Sequence, residues 1–290
     1  MTAGLAGSFA IFLSAFCFYL STVVIRWSQG VTAVTPAYFV LFRFVLGFIV
    51  VVLVMGGSGI RPRPHRWHLL IGRTLTNCVA VFCFYQGVAA TSVAEANILN
   101  MTYPIFVAAL SWVLLRRQRD PVSLAMVIVA CAGIWLILSP ATLGLRWGNL
   151  WALASGVTAA VSILYLNVAR QHHDTFTILF YMFGPGAAIM FALFHRQIFW
   201  PDPTALGYLF ACGGLGVLGQ FLLTLGFRHV TAMEGSIVSS TRILLAGLLG
   251  PWLAADPALG AVGWLGALLI FAANVVLALR KGRAVGPPAA

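Results

Sequence analysis

Charge of either sign is scarce in this chain. Of its 290 residues, 8% are charged, 61% are hydrophobic and only six are acidic. A soluble domain carries roughly 25% charged residues, so this chain has too few charges to cover a surface that faces water. Its apolar surface must therefore face lipid, which predicts an all-α polytopic membrane protein.

The groups that catalytic and metal sites require are also missing. The sequence contains no HExxH, no P-loop and no nucleophile elbow. Its six histidines fall in loops or at segment ends without metal-ligand spacing, and its five cysteines lie in apolar segments without a CxxC pair. We therefore expect no metal, no cofactor and no enzymatic activity.

Hydropathy divides the chain into ten apolar segments. Segments of about 20 apolar residues cross a bilayer as helices, because a helix satisfies its own backbone hydrogen bonds. We therefore predict ten transmembrane helices, followed by a disordered tail at 281–290. The segments are 6–26, 35–55, 67–88, 93–115, 121–139, 148–169, 176–195, 204–227, 232–254 and 258–279.

The basic residues are distributed unevenly between the two sides of the membrane. If the N-terminus is cytoplasmic, eleven Arg and Lys residues lie inside and three lie outside, as the positive-inside rule expects. We therefore expect cytoplasmic termini, an inner (plasma) membrane location, and contact with anionic lipid headgroups rather than nucleic acid. The opening MTAGLAGSF has no positive n-region, so no cleaved signal peptide is expected.

An internal repeat appears when the chain is aligned with itself at the offset that places Gln86 over Leu225. QGVAATSVAEANILN then aligns with LGFRHVTAMEGSIVS, which places Asn100 opposite Ser239 and pairs the fourth segment with the ninth. Five segments per copy is an odd number, so the second copy must cross the membrane inverted. Residues 1–140 and 141–280 are therefore predicted to be two inverted five-helix repeats, a plan common in secondary transporters.

The chain resembles the EamA type of the drug/metabolite transporter superfamily over essentially its whole length. The resemblance is carried by ten short spans in two sets of five, and by a turn of small residues and glutamate before a span with a mid-helix proline. Within that family the chain is most similar to the YddG-type exporters of aromatic and other neutral amino acids. The family often has a glutamate at the end of the fourth span, but this chain has LLRRQRD there, so no role for that acid is carried over.

Polar residues inside the fourth segment are the first candidates for binding a substrate. Asn97, Asn100 and Pro104 share one helical face. Pro104 pushes away the carbonyl four residues earlier, so we expect a kink or hinge that frees a carbonyl oxygen. In lipid, such an oxygen is tolerated only against protein or a wet cavity. The alternatives are a substrate cavity and an interhelical hydrogen-bond seam.

The ninth segment repeats the polar face with Ser239, Ser240 and Arg242, after a predicted hinge at Gly235. A mid-span arginine is costly and rarely faces lipid. Arg242 is therefore expected either to bind a substrate carboxylate bidentately or to make an internal ion pair. Arg43 is expected to bridge two helices.

Three further charged residues lie near segment ends. Arg73 is expected to snorkel to the membrane surface. Glu95 and Glu234 each lie at the start of a segment, where a carboxylate favours the positive end of the helix dipole. The alternative for the glutamates is proton coupling.

Aromatic and amide side chains are expected to shape the rest of the pocket. An aromatic ring beside an amide suits a flat apolar group with a polar end. Pro185, between two glycines, predicts a hinge in the seventh segment. The pocket candidates are Tyr85, Gln86, Tyr103 and Tyr165, with Asn77 and Gln220 as further polar groups.

These patterns predict a secondary transporter that exports small organic metabolites by alternating access around a cavity between the two repeats. Aromatic and other neutral amino acids are the substrates that the resemblance implies. The alternatives are drug or other metabolite efflux by the same fold, a passive channel, and a lipid-modifying membrane enzyme. The direction of net transport, proton coupling and oligomeric state stay open at this stage.

Overall fold

The computed structural model describes residues 3–114, 121–138, 147–226, 229 and 232–284. Regular structure in these residues is helical, with no strand among them. A short 3₁₀ helix, His195–Gln197, follows α8. The α-helices are α1 (Ala3–Ser28), α2 (Pro36–Ser58), α3 (Trp67–Ala90), α4 (Val93–Asn100), α5 (Tyr103–Leu114), α6 (Pro121–Leu138), α7 (Trp147–Ala169), α8 (Thr175–Phe194), α9 (Pro203–Gly226), α10 (Ala232–Leu253) and α11 (Ala261–Ala284).

Six of the described helices are long and apolar enough to cross a membrane, namely α1, α2, α3, α7, α8 and α9. Shorter apolar stretches lie within α6, α10 and α11. The protein is therefore a multi-pass membrane protein. The predicted disordered tail needs one correction, because 281–284 continue α11.

Polar side chains begin α4 and α8. The Ser92 hydroxyl accepts a hydrogen bond from the Glu95 backbone N–H at 3.0 Å, which caps α4. Glu95 then lies in the first turn, where the sequence predicted a favourable interaction with the helix dipole. Asp174 caps α8 by accepting from the Thr177 N–H at 2.9 Å.

The fourth predicted segment is broken into two helices. α4 ends at Asn100 and α5 begins at Tyr103, so the break lies just before Pro104, where the sequence predicted a kink. The Thr102 hydroxyl donates to the Leu99 carbonyl at 2.6 Å and closes the last turn of α4. Pro185 behaves differently, since α8 continues through it without interruption.

The helices pack in matching pairs. α3 packs along α7, and α1 packs along α9. α2 packs on α8, and α6 packs on α11. α4 lies between α7 and α10, and α1 also contacts α10. Each half of the chain therefore packs mainly against the other half.

The contact between α2 and α8 is reciprocal. A Cβ at Gly47 would lie 2.5 Å from the Phe183 ring, and a Cβ at Gly186 would lie 2.6 Å from the Phe44 ring. The rings themselves meet edge to face with centroids 5.9 Å apart. Both glycines are thus required by close approach. The repeat offset that pairs Gln86 with Leu225 also pairs Phe44 with Phe183 and Gly47 with Gly186.

Candidate substrate-binding cavity

A cavity of about 120 Å³ lies between the two halves of the chain. Since a water molecule needs roughly 10–15 Å³ of cavity volume, the cavity can hold several waters or a small solute. Its walls come from α1, α2, α3, the end of α4 and the break after it, α5, α7, α9 and α10. They comprise Phe18, Arg43, Arg73, Asn77, Ala80, Val81, Phe84, Asn100, Met101, Tyr103, Ala159, Ser162, Ile163, Gln220, Leu223, Ser239 and Arg242.

Four of the predicted binding residues form a crossed pair of contacts in this wall. The Arg242 guanidinium donates from Nη2 to Asn100 Oδ1, and the hydroxyl groups of Tyr103 and Ser239 lie close enough to interact. The repeat offset makes Asn100 the counterpart of Ser239, and it makes Tyr103 the counterpart of Arg242. The two contacts are therefore equivalent under the repeat, and each joins one half of the chain to the other.

The helix break supplies a carbonyl to this region, but it is that of Met101 and not the Asn100 carbonyl that the sequence predicted. The Met101 carbonyl accepts from Asn274 Nδ2 of α11 at 2.9 Å. On the other side of α4, Asn100 Nδ2 donates to the Ser155 hydroxyl of α7 at 2.8 Å. These bonds fix the broken segment against two helices of the second half. An asparagine in the apolar run FAANVV was the available signal for Asn274.

Three buried arginines face the cavity. Arg43, Arg73 and Arg242 are only 4–6% exposed, and all three line its wall. Arg73 Nη1 donates to the Ser162 hydroxyl at 2.5 Å. None of the acidic side chains that the structure describes belongs to the lining. The site therefore presents an excess of positive charge.

Aromatic rings support two of these cations. The Arg43 guanidinium lies 5.3 Å from the Phe18 ring centroid, and Arg43 Nη1 donates to the Tyr85 hydroxyl of α3 at 3.1 Å. Arg242 lies 5.1 Å from the Phe84 ring centroid. A cation over a ring face is stabilised by the ring quadrupole. The rings therefore hold the charged heads in place without neutralising them.

Two expectations for the arginines have clear outcomes. The prediction that Arg43 bridges two helices is confirmed by its bond from α2 to Tyr85. The prediction that Arg73 snorkels to the membrane surface is wrong, since its side chain is buried and turned to the cavity. Its position in the second turn of α3 suggested access to water, but the packing of α7 over that turn directs it inward.

Three predicted binding residues lie in packing contacts away from the lining. Asn97 Nδ2 donates to the Thr22 hydroxyl at 3.0 Å, and Tyr85 meets the Ser21 hydroxyl at 3.1 Å behind Arg43. The Tyr165 ring covers Gly72.

Two further predicted residues, Gln86 and Ser240, are also outside the lining; Ser240 is buried and Gln86 is half-buried. Substrate contact by these five residues stays a prediction. Of the further polar groups named from the sequence, Asn77 and Gln220 do line the cavity.

Hinge motion at Pro104, Pro185 and Gly235 stays a prediction. Pro104 follows the break between α4 and α5, and Pro185 lies within α8. The surroundings of Gly235 and of the Glu234 side chain lie outside the described residues.

One end of the bundle is tied together by Asp256, in the connection between α10 and α11. Its Oδ2 accepts from the Val93 N–H at 2.5 Å, and its Oδ1 lies 3.2 Å from Arg26 Nη2 without hydrogen-bond geometry. Burial raises the pKa of this carboxyl above its ordinary value, while the Val93 amide and the Arg26 charge oppose that rise. In the same region Trp27 Nε1 donates to the Leu253 carbonyl at 2.5 Å. The contacts join the end of α1 to the start of α4 and the end of α10.

The sequence model of the EamA-like transporter family matches this chain twice, over residues 5–139 and 146–279. The chain belongs to the EamA-like transporter family. It is accordingly a membrane transporter of small metabolites. The two matches together cover nearly the whole chain, including every residue of the cavity wall.

Known relatives of this EamA-family chain include two that are named for different substrates. It is 24% identical to the pseudopaline exporter CntI of Pseudomonas aeruginosa, over 80% of this chain and 81% of that protein. It is 25% identical to human solute carrier family 35 member G1, over 95% of this chain and 79% of that protein. It is 24% identical to a riboflavin transporter of Rhizobium johnstonii, over 98% and 94%.

A solved crystal structure shares the fold. It superposes with a TM-score of 0.62 at 19% identity, covering 98% of this chain and 99% of that one. The specific likeness to YddG-type exporters is not among these findings, so amino acid specificity stays a proposal.

Proposed function

We propose that this chain is a secondary transporter that exports small organic metabolites bearing a carboxylate, by alternating access around the cavity. Aromatic and other neutral amino acids are the members of that class that the sequence resemblance implies. The observation that carries the proposal is the crossed pair of contacts, Arg242 with Asn100 and Tyr103 with Ser239. Those contacts place hydrogen-bonding groups from both halves around one cavity.

A two-fold relation between inverted halves, 1–140 and 141–280, supports alternating access. The family model matches once in each half. The Ser21 hydroxyl donates to the Cys212 carbonyl at 3.1 Å, and the Ser162 hydroxyl donates to the Arg73 carbonyl at 3.4 Å. The repeat offset pairs the two acceptors, Arg73 and Cys212, whereas the counterpart of Ser21 is Ala160, close before Ser162. The two bonds therefore correspond in their acceptors and differ in the position of their donors. Halves related in this way can exchange conformations by rocking about a central site.

The cavity and the Asp256 contacts lie at different depths along the bundle. Arg73 is in the second turn of α3 and Ser239 is at the start of the third turn of α10, whereas Asp256 ties together the opposite ends of α1 and α10. A closed end away from an off-centre cavity is the arrangement expected of one state of an alternating-access cycle. With cytoplasmic termini, as the basic loops predict, the closed end faces outside.

Arg242 is the group best suited to bind the carboxylate. Its Nη2 contacts Asn100, and its Nε is buried without a hydrogen-bond partner in the described part of the chain. An arginine offers Nε and Nη2 as one fork that matches a carboxylate bidentately. A substrate carboxylate would displace Asn100 Oδ1 and satisfy both nitrogens. The released Asn100 amide, with Tyr103 and Ser239, can then bind the other polar groups of the substrate.

The test is uptake into liposomes that contain the purified protein. Labelled phenylalanine, tryptophan, threonine and methionine are supplied with and without a pH gradient, against empty liposomes. We expect saturable uptake that unlabelled amino acids compete, and the effect of the gradient reports proton coupling. Asn100→Ala should reduce the rate at least several-fold, whereas the exposed control Gln171→Ala should not change it. Full-rate transport by folded Asn100→Ala would overturn the binding assignment.

Drug efflux by the same fold makes a distinct prediction. If folded protein gives no amino acid uptake but confers drug resistance in a strain without its own pumps, the amino acid proposal fails. Cationic drugs are disfavoured in advance, since the arginines would repel them and no described acid lines the cavity.

A further inference from the structure

The cavity carries more positive charge than one carboxylate can offset. Arg43, Arg73 and Arg242 all line it. In the described part of the chain they donate hydrogen bonds to the neutral groups Tyr85, Ser162 and Asn100. A buried charge without a counter-ion is strongly unfavourable. Among the described residues this excess has no counter-ion, so it favours a substrate that brings negative charge into the cavity.

The acids of the chain do not supply that charge within the described residues. Asp174 caps α8, and Asp202 lies in the connection before α9. Asp256 is bound at the closed end of the bundle. Glu95 lies in the first turn of α4, outside the cavity lining.

The three cations come from different helices but line the same cavity. Arg43 is on α2, Arg73 on α3 and Arg242 on α10, and Arg43 lies within electrostatic range of both others. Arg73 resembles Arg242 in having a buried Nε with no hydrogen-bond partner in the described structure. The cavity therefore offers two guanidiniums that each have an unused donor.

We propose that the physiological substrate is a small organic dianion whose two negative charges are bound by Arg242 and Arg73. This inference rests on the proposed transport function and specifies the charge of its substrate, with one phosphate as the alternative to two carboxylates. A neutral amino acid would offset one arginine and would place its ammonium among the others. A dianion offsets two charges, and the third, Arg43, keeps the support of the Phe18 and Tyr85 rings. Either a dicarboxylate or a phosphate monoester has the required chemistry.

The experiment is counterflow in liposomes of uncharged lipid, using the full-length protein. The labelled probes are succinate, glycerol 3-phosphate and phenylalanine, each competed by the other two and by the monoanion lactate. We expect a dianion to exchange with the lowest KM, and the two dianion probes distinguish a carboxylate from a phosphate as the preferred acid group.

Variants at Arg73 separate charge recognition from structural support. Arg73→Gln should raise the KM for the preferred dianion roughly 10- to 100-fold, the equivalent of one charge-assisted hydrogen bond. It should leave the KM for lactate nearly unchanged, so the preference for dianion over monoanion falls. Arg73→Lys keeps the charge and should retain most of that preference. The exposed Arg196→Gln is the matched control and should behave as the wild type.

The outcomes are distinct. Dianion counterflow with a lost preference in Arg73→Gln supports the inference. If Arg73→Gln does not fold, the preference of the wild type for dianions over phenylalanine and lactate decides the question. Saturable phenylalanine counterflow that neither dianion competes overturns the inference and leaves the proposed function standing. No counterflow of any probe by folded protein overturns both.

Discussion

Truncation of Asp256 should destabilise the protein mainly through a lost hydrogen bond rather than a lost ion pair. Asp256 is 4% exposed and accepts from the Val93 N–H at 2.5 Å. A hydrogen bond to a charged group contributes about 1.5–3 kcal/mol. The Arg26 side chain is 32% exposed, so solvent screening holds that ion pair to about 1 kcal/mol or less. Asp256→Ala should therefore lower the free energy of unfolding by about 2–3 kcal/mol.

Asp256→Asn should cost much less. The amide oxygen can still accept from Val93, and the variant no longer buries a charge. Burial is the largest influence on the pKa of Asp256 and raises it, so the fold favours the neutral carboxyl over the charged one. We expect Asp256→Asn to cost less than about 1 kcal/mol, and Arg26→Gln a similar amount.

The pH dependence follows with a definite sign. A carboxyl whose pKa is higher in the folded state binds a proton more tightly when folded. Its contribution to stability is therefore greatest at low pH and declines as pH rises from the ordinary aspartate pKa through the raised folded value. Asp256→Asn should remove that decline.

Equilibrium unfolding of purified protein in mild detergent, followed by helix content across this pH range, measures each of these quantities. The reasoning is refuted if Asp256→Asn is as damaging as Asp256→Ala, because the charge would then outweigh the hydrogen bond. It is also refuted if Asp256→Ala costs under about 0.5 kcal/mol, well below the loss expected for a buried charged hydrogen bond.

Two further predictions concern packing and capping. Gly87→Ala should lower the free energy of unfolding by about 1–3 kcal/mol in the same assay, because the added Cβ would lie 2.9 Å from the backbone nitrogen of Ala152. Gly56→Ala is the control, since a Cβ there would have nothing within 4 Å, and it should be neutral or stabilising. Burial alone would raise the pKa of Asp174, but hydrogen bonds that include two from Thr177 lower that pKa below its ordinary value. The Asp174 carboxylate therefore stabilises the fold above the ordinary aspartate pKa, and this stabilisation is lost as pH falls through the pKa of the folded state. A stability profile of Asp174→Asn should lack that acid loss, and an unchanged profile would contradict the assignment.

Rotation of the helices explains which predicted polar residues reached the cavity. Asn97 and Asn100 are one turn apart on the same short helix, yet Asn100 faces the cavity while Asn97 faces Thr22 of α1. The break after Asn100 turns the end of α4 toward α7 and α10. A helical face predicted from spacing alone treats both asparagines alike, because it contains no information about which neighbour covers which end.

Symmetry was the more reliable guide to the site. The repeat offset predicted that Asn100 and Ser239 are counterparts, and the structure places both in the cavity wall. The same offset relates Tyr103 to Arg242, a pair that the short alignment did not reach. A duplication preserves which positions face the partner half, so one aligned pair indicates where its neighbours along the helix will lie.

Composition and hydropathy by themselves determined the class of this protein. With so few charges, long apolar segments must face lipid and must be helical, and that requirement is local to each segment. The break before Pro104 is local in the same sense, and the repeat offset follows from aligning the chain with itself.

Only the tertiary structure decided the chemistry of the cavity. Arg73 lies close enough to a helix end to reach water, and nothing in its neighbours along the chain distinguishes a snorkelling arginine from one turned inward. The Arg73 side chain is buried beside Ser162 because α7 packs there, and α7 is distant from Arg73 in sequence. The convergence of three arginines, and hence the net charge that a substrate meets, is a property of how the helices pack.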